Sequence, residues 1–281
     1  MTIDGNAGAP RFSVGRVISQ SLSVVFGNLF RFLAIILVVG VPLFLLIVVG
    51  VMAVGLSLRE TGAGFTIQNP DIAGTLFMLA FVFLFLLAYF LIQSALTYGA
   101  LQHLRGQPRP IGACLTAGFK ALPRVFLASL LLFVAVVVVG FVVMFILQAL
   151  LSGLGLLGIL VGFVVIAALL YVVTLLWVFI PAIVIERVGA IDCFGRSMTL
   201  TKGHRWGIFG ILVLLGVVNA VVTTLTRLLA EELAPVAGSV LDVAWSLFFL
   251  ALTPVLAAVG YFYLRVEKEG VAIDDVVRVF D

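Results

Sequence analysis

The chain has 281 residues, of which 64% are hydrophobic and only 10% are charged. Soluble globular domains contain about 45–50% apolar and about 25% charged residues, so this composition excludes the soluble class. With a mean hydropathy of +1.34, the chain is expected to be an all-α, polytopic membrane protein. The formal net charge of +3 is too small to indicate a nucleic-acid-binding protein.

The N-terminal residues 1–10 are rich in Gly, Ala and polar residues, which predicts a disordered tail. They lack the basic and short apolar regions of a secretory signal, so no cleavage is expected. The following residues, 11–270, are interpreted as one membrane domain. A helix needs about 20 apolar residues to cross roughly 30 Å of hydrocarbon. On this basis the charge-free intervals predict six spans, at 32–58, 74–103, 125–151, 158–185, 206–227 and 242–264.

The basic residues lie in alternate connections between the predicted spans. If the N-terminus is cytoplasmic, every Lys and Arg except Arg59 and Arg227 falls on the cytoplasmic side, as the positive-inside rule requires. Both termini are therefore expected in the cytoplasm. Residues 271–281 are expected to form a short cytoplasmic helix, because their apolar side chains recur on one helical face.

A weakly similar segment occurs three times, each time before a predicted span. The copies place the helix breakers Gly27, Pro123 and Gly203 at equivalent positions. They occupy the ranges Ile18–Phe30, Cys114–Phe126 and Phe194–Trp206. Each copy is interpreted as an amphipathic elbow, meaning a short helix along the cytoplasmic leaflet that leads into a transmembrane hairpin. The predicted architecture is therefore three hairpins, each preceded by an elbow helix.

The elbows carry the basic side chains that we regard as the first candidate site. Residues at this depth meet anionic headgroups, and each adds about 1 kcal/mol of attraction. The alternative is that positive-inside topology alone accounts for these charges. The candidate residues for binding a lipid headgroup or a protein partner are Arg124, Arg196, Lys202, His204 and Arg205.

Uncharged polar residues inside the predicted spans form the second candidate site. They could line a polar cavity, or they could only form hydrogen bonds between packed helices. Away from their ends, the predicted spans contain no charged side chain that would mark a proton pathway. The candidate cavity residues are Gln93, Thr97, Tyr98, Gln148, Asn219 and Thr223.

No arrangement typical of metal binding or catalysis occurs in the sequence. His103, Cys114, Cys193 and His204 have no CxxC or HExxH spacing. Phosphate-loop and nucleophile-elbow motifs are also absent. We therefore expect no metal, no cofactor and no catalytic activity. Both cysteines are expected in the cytoplasm, where thiols stay reduced.

Two stretches carry a family resemblance: GRSMTLTKGHRWGIF at 195–209 and YFYLRVEKEGVAIDD at 261–275. On them, the chain resembles bacterial inner-membrane proteins of the glycerophosphoryl diester phosphodiesterase membrane-domain family and the related YciC-like proteins. The resemblance covers about residues 12–275 and implies a bacterial inner-membrane location. Some members of this family carry a fused phosphodiesterase domain, and no such domain is expected here.

The leading functional hypothesis is an accessory or scaffold protein of the inner membrane. It would engage anionic phospholipids, or a membrane or cytoplasmic protein partner, through its cytoplasmic face. The alternative hypothesis is a transporter or channel for a small or lipid-like solute, lined by the polar residues of the spans.

Overall fold

A computed structural model describes residues 12–60, 72–107, 110–154, 156–232 and 235–270. The predicted N-terminal tail and the predicted helix at 271–281 lie outside these residues. The described part is all-helical. Its nine helices are α1 (Val14–Gly27), α2 (Leu29–Glu60), α3 (Ile72–Leu104), α4 (Ile111–Leu154), α5 (Leu156–Leu175), α6 (Phe179–Glu186), α7 (Asp192–Thr201), α8 (Arg205–Glu232) and α9 (Pro235–Glu269).

Six segments within these helices are long and apolar enough to cross a membrane, which confirms the predicted number. Many large apolar side chains on them are exposed, as lipid-facing residues should be; Phe141, for example, is 77% exposed. The six segments are Leu29–Met52, Thr75–Leu104, Ile111–Val143, Ala167–Glu186, Arg205–Ala230 and Val236–Glu269.

The buried core lies toward one end of the bundle. Successive spans run in opposite directions, so α3, α6 and α9 finish at the end where α2, α4 and α8 begin. We call this the polar end. The second half of α9 occupies its centre, with Val255, Val259 and Leu264 fully buried.

Two of the described short helices each precede a long helix. Helix α1 comes before α2 and α7 comes before α8. The apolar face of α1 packs against α9 and α8, and Val17 and Val25 are fully buried. This face is therefore covered by protein, not by lipid headgroups.

The second predicted elbow is not a separate helix. Helix α4 continues from Ile111 to Leu154 through Pro123, where the sequence predicted a break. Proline removes a single backbone N–H, so it can kink a helix without ending it. Close packing of α4 on α3 around Gly118 holds the two parts of α4 in line. A Cβ atom on Gly118 would lie 3.1 Å from the Leu91 carbonyl oxygen and 3.2 Å from the Ala95 nitrogen.

The fourth predicted span, 158–185, consists of two helices. Pro181 lacks an N–H, and its ring crowds the carbonyl four residues earlier, which favours a break between α5 and α6. At the break, the Phe179 N–H donates to the Leu176 oxygen at 3.2 Å. That leaves the Leu175 carbonyl to other donors: the Ser197 hydroxyl on α7 donates to it at 2.8 Å, and the Thr201 hydroxyl lies 3.4 Å from it. Helix α7 therefore supplies the hydrogen-bond donor that the break leaves missing at the end of α5.

Replacing Ser197 with alanine should lower the free energy of unfolding by about 1–3 kcal/mol, the typical cost of leaving a buried polar group without its partner. Unfolding in a mixed-micelle SDS titration would measure the loss. Thr199→Ala is the matched control, because its hydroxyl is exposed and donates only to Gly195 of its own helix. Equal effects for the two variants would contradict the role given to Ser197.

Candidate functional site: the cation-rich polar end

Arg196 belongs to an ion-pair network that joins α6, α7 and α9. Its Nε and Nη2 donate to the two oxygens of Glu186, each at 2.7 Å, and Nη2 also contacts Glu269. Arg265 donates to the other oxygen of Glu269 at 2.8 Å. Glu186 additionally accepts the Tyr261 hydroxyl hydrogen at 2.5 Å. Two cations and two carboxylates thus neutralise one another.

The network changes the interpretation of Arg196. The Glu186 carboxylate raises the pKa of the Arg196 guanidinium above its usual range, so the guanidinium stays charged at any physiological pH. Two carboxylates occupy the side chain that the sequence assigned to headgroup binding. In the structure Arg196 fastens α7 to the ends of α6 and α9.

His204 is also engaged by a carboxylate. Its Nε2 lies 3.1 Å from Glu267 Oε1, and the Phe12 backbone N–H donates to the other Glu267 oxygen at 2.7 Å. The Phe12 ring packs against the imidazole, with 4.9 Å between ring centroids. The contact joins the segment before α1 to the start of α8 and the end of α9.

A second group of cations lies at the surface, and we call it the Lys202 rim: Lys202 and Lys268, which are exposed, and Arg205, which is half-buried. Lys202 is exposed at the end of α7. Arg205 donates to the Tyr171 hydroxyl at 2.6 Å, and Lys268 lies within electrostatic range of both other rim cations. The adjacent Trp206 is 86% exposed. Within the described residues, none of the three rim cations forms an ion pair with a carboxylate.

The third feature of the polar end is an open cavity of about 790 Å³ between α3, α4 and α6. Four of its lining residues are cationic and none of the described ones is acidic. We call it the Arg124 cavity. Its lining comprises Tyr98, Gln102, Arg105, Gln107, Ala113, Thr116, Ala117, Lys120, Ala121, Arg124, Ile183, Val184 and Arg187.

Of the predicted basic residues, only Arg124 lines this cavity. The sequence analysis did not associate Arg105, Lys120 and Arg187 with it, and counted them only toward topology. They come from separate segments, and no spacing in the sequence links them. Only the packing of α3, α4 and α6 brings them together.

The predicted polar residues of α3 and α4 lie in different surroundings. Tyr98 lines the Arg124 cavity. Gln93 and Thr97 are buried on the same helix, 5% and 0% exposed. Gln148 is exposed on α4.

Of the predicted polar residues of α8, Asn219 bonds to α9. Asn219 accepts a hydrogen bond from the Trp245 ring nitrogen at 3.0 Å. The Thr223 carbonyl accepts the Thr226 hydroxyl hydrogen at 3.0 Å. Of the six polar residues, Tyr98 lines the cavity described above, and Asn219 forms a hydrogen bond with the adjacent helix.

Both cysteines are buried thiols within the described bundle. Cys193 donates to the Ala190 carbonyl at 3.2 Å, and burial together with the nearby Asp192 charge raises its pKa to about 11. We expect maleimide to leave the folded protein unlabelled at pH 7.5, since the thiolate is the reactive form. After unfolding in SDS, mass spectrometry should detect two labels. Rapid labelling of Cys193 before unfolding would contradict its buried placement.

The comparisons with known proteins extend over α4 to α9. A family model described as a domain of unknown function (DUF7847) matches residues 115–268, more than half of the chain. The matched part contains the ion-pair network except Glu269, the Lys202 rim and three of the four cavity cations. Arg105 precedes the matched part. No curated protein matches the chain, and no solved structure matches it either.

Proposed function

The chain belongs to the DUF7847 family, and we propose that it is a non-catalytic accessory or scaffold protein that engages anionic phospholipids at its polar end. We further propose that it is a multi-pass protein of the bacterial inner membrane with both termini in the cytoplasm. The membrane assignment follows from the resemblance to the glycerophosphoryl diester phosphodiesterase membrane-domain and YciC-like proteins, which stays a prediction.

The distribution of charge supports the proposed orientation. With the polar end in the cytoplasm, the positive-inside rule is obeyed by every Lys and Arg except Arg59 and Arg227. Helices α1 and α7 would then lie at the cytoplasmic leaflet as the proposed elbows. The exposed rings of Phe30 and Trp206 are suited to the interface, where aromatic residues are enriched.

The observation that carries the proposal is the Lys202 rim. The nearby carboxylates of Glu186, Glu267 and Glu269 already have cationic or imidazole partners, so the rim presents an excess of positive charge. Each cation near an anionic leaflet contributes about 1 kcal/mol of attraction. Exposed Trp206 would anchor this surface at headgroup depth.

We expect Lys202→Gln/Lys268→Gln to retain anionic lipid less tightly than the wild-type protein. Two cations at about 1 kcal/mol each correspond to a roughly tenfold to thirtyfold loss in affinity. Native mass spectrometry from nanodiscs containing phosphatidylglycerol and phosphatidylcholine would measure the retained lipid.

The matched control for this experiment is Arg227→Gln. It removes an exposed cation from the end of α8 remote from the rim and should leave lipid retention unchanged. Unchanged retention of phosphatidylglycerol in the Lys202→Gln/Lys268→Gln variant would overturn the proposed function.

The transporter interpretation would require a shared path through the polar residues of the spans. Gln148 is exposed, and the Asn219 side chain bonds to Trp245. No specific feature of the described bundle favours this alternative.

A further inference from the structure

We propose that the Arg124 cavity is a binding site for a phosphomonoester group, carried by a lipid headgroup or by a soluble phosphate ester. The inference goes beyond the proposed function, because the cavity shares no lining residue with the Lys202 rim. A phosphomonoester would bind in the concave site, whereas the rim would meet the leaflet as a surface.

The charge of the lining is the first observation behind this proposal. Arg105 follows α3, Lys120 and Arg124 lie on α4, and Arg187 follows α6, so three segments direct four cations to one concavity. The described lining residues include no carboxylate that could compensate them. A concave site with one sign of charge concentrates ligands of the opposite sign.

Arg105 is half-buried where it lines the cavity. Burial lowers the pKa of its guanidinium, and the positive charge of Arg265, which lies outside the lining, lowers it further. An anion bound in the cavity would stabilise the charged form of Arg105.

Two arginines are held in place by the backbone. Arg124 Nη1 donates to the Arg187 carbonyl at 3.0 Å. This bond uses one of the five N–H groups of the guanidinium, and the others can donate to a ligand. Arg187 has a left-handed backbone conformation, with φ of 55°, at the end of α6. Non-glycine residues in this conformation cost about 1–3 kcal/mol and cluster at functional sites. This conformation caps α6 through a bond from the Arg187 N–H to the Ile183 carbonyl and keeps Arg187 at the cavity.

Neutral donors complete the lining. Gln102 Nε2 donates to the Tyr98 hydroxyl oxygen at 2.7 Å. Because this bond uses the oxygen of Tyr98, its hydroxyl hydrogen remains for a ligand acceptor. Phosphate oxygens accept hydrogen bonds, and guanidinium groups can bind them in a bidentate manner.

The number of cations favours a monoester over a diester. A phosphomonoester carries a charge of about −1.5 to −2 at neutral pH and presents three acceptor oxygens, whereas a phosphodiester carries one negative charge. The positive charge of four cations therefore favours the phosphomonoester, which carries the larger negative charge. The cavity volume of about 790 Å³ lies within the range of ligand pockets, about 300–1,000 Å³, and has room for the esterified alcohol. Ile183 and Val184 provide an apolar wall beside it.

The test compares four probes on the full-length protein in phosphatidylcholine nanodiscs. The lipid probes are phosphatidic acid, a monoester, and phosphatidylglycerol, a diester. The soluble probes are glycerol 3-phosphate and its diester, glycerophosphocholine. Native mass spectrometry would measure lipid retention and calorimetry would measure soluble binding. In at least one pair, the monoester should bind at least tenfold more tightly than the diester. A preference in the lipid pair alone identifies a headgroup as the source, and a preference in the soluble pair identifies a free ester.

Lys120→Gln/Arg124→Gln should abolish this preference, and the rim variant Lys202→Gln/Lys268→Gln should retain it. Lys120→Glu, at an exposed position, is the second variant; it places a carboxylate in the cavity and should weaken monoester binding at least tenfold. Equal binding of monoester and diester in both pairs, or an undiminished preference in Lys120→Glu, would overturn the proposal. Unchanged retention of phosphatidylglycerol in the rim variant would overturn only the proposed function, so the two failures are distinguishable.

Discussion

Replacing Glu186 with alanine should lower the free energy of unfolding by about 3–5 kcal/mol, the typical cost of breaking a buried ion pair by removing one partner. The Glu186 side chain is 14% exposed and its partner Arg196 is 26% exposed, so solvent screens the pair only in part. The substitution removes both acceptors of the Arg196 bidentate contact and the acceptor of the Tyr261 hydroxyl. Unfolding in a mixed-micelle SDS titration would measure the loss.

Glu186→Gln is the matched variant for this prediction. It keeps an oxygen that can accept from Arg196 and Tyr261 but removes the charge, so its effect should be smaller than that of alanine. A double-mutant cycle with Arg196→Met should give a favourable coupling energy. If Glu186→Ala changed the unfolding free energy by less than about 0.5 kcal/mol, the typical range of surface substitutions, the network would have no structural role.

Replacing Gly118 with leucine should destabilise the protein by about 3 kcal/mol, the upper part of the range for overpacking. Even a Cβ atom would lie 3.1 Å from both the carbonyl oxygen and a side-chain methyl of Leu91. The backbone of α3 cannot move away without separating α3 from α4. We also expect monoester binding in the Arg124 cavity to weaken, because the two helices line it together.

Gly112→Leu is the control for this substitution. Gly112 lies on the same helix, and a Cβ atom there would meet nothing within 4 Å. The control should unfold at nearly the wild-type SDS concentration. Similar destabilisation by both leucines would indicate a general helix effect and would contradict the close contact of α3 with α4 at Gly118.

The spans could be predicted because burial in lipid leaves a simple mark, a long interval without charge. The structure confirms six such helices. The break between α5 and α6 was missed because the Leu175 carbonyl is satisfied by Ser197, 22 positions away. Periodicity reports only on the helix that contains it, so it cannot reveal a donor that arrives from another helix.

The sequence predicted which basic residues lie at the candidate site, but it did not predict which of them form ion pairs. Arg196 and Lys202 belong to one elbow, yet Arg196 is paired with Glu186 and with Glu269, which is 73 positions away, and Lys202 is exposed. Nothing local in the sequence separates these two outcomes. The Arg124 cavity was missed for the same reason, since Arg105 and Arg187 meet Arg124 only through the packing of three helices.

The side of the membrane on which the polar end lies tests the central claim most directly. The measurement uses Lys202→Cys in a Cys114→Ala/Cys193→Ala background, with Val236→Cys as the control for the opposite end of the bundle. An impermeant maleimide is applied to right-side-out spheroplasts and to inside-out vesicles. We predict that Cys at 202 reacts only in inside-out vesicles and Cys at 236 only in spheroplasts. Labelling of position 202 in spheroplasts would place the polar end on the periplasmic side of the membrane and contradict the account.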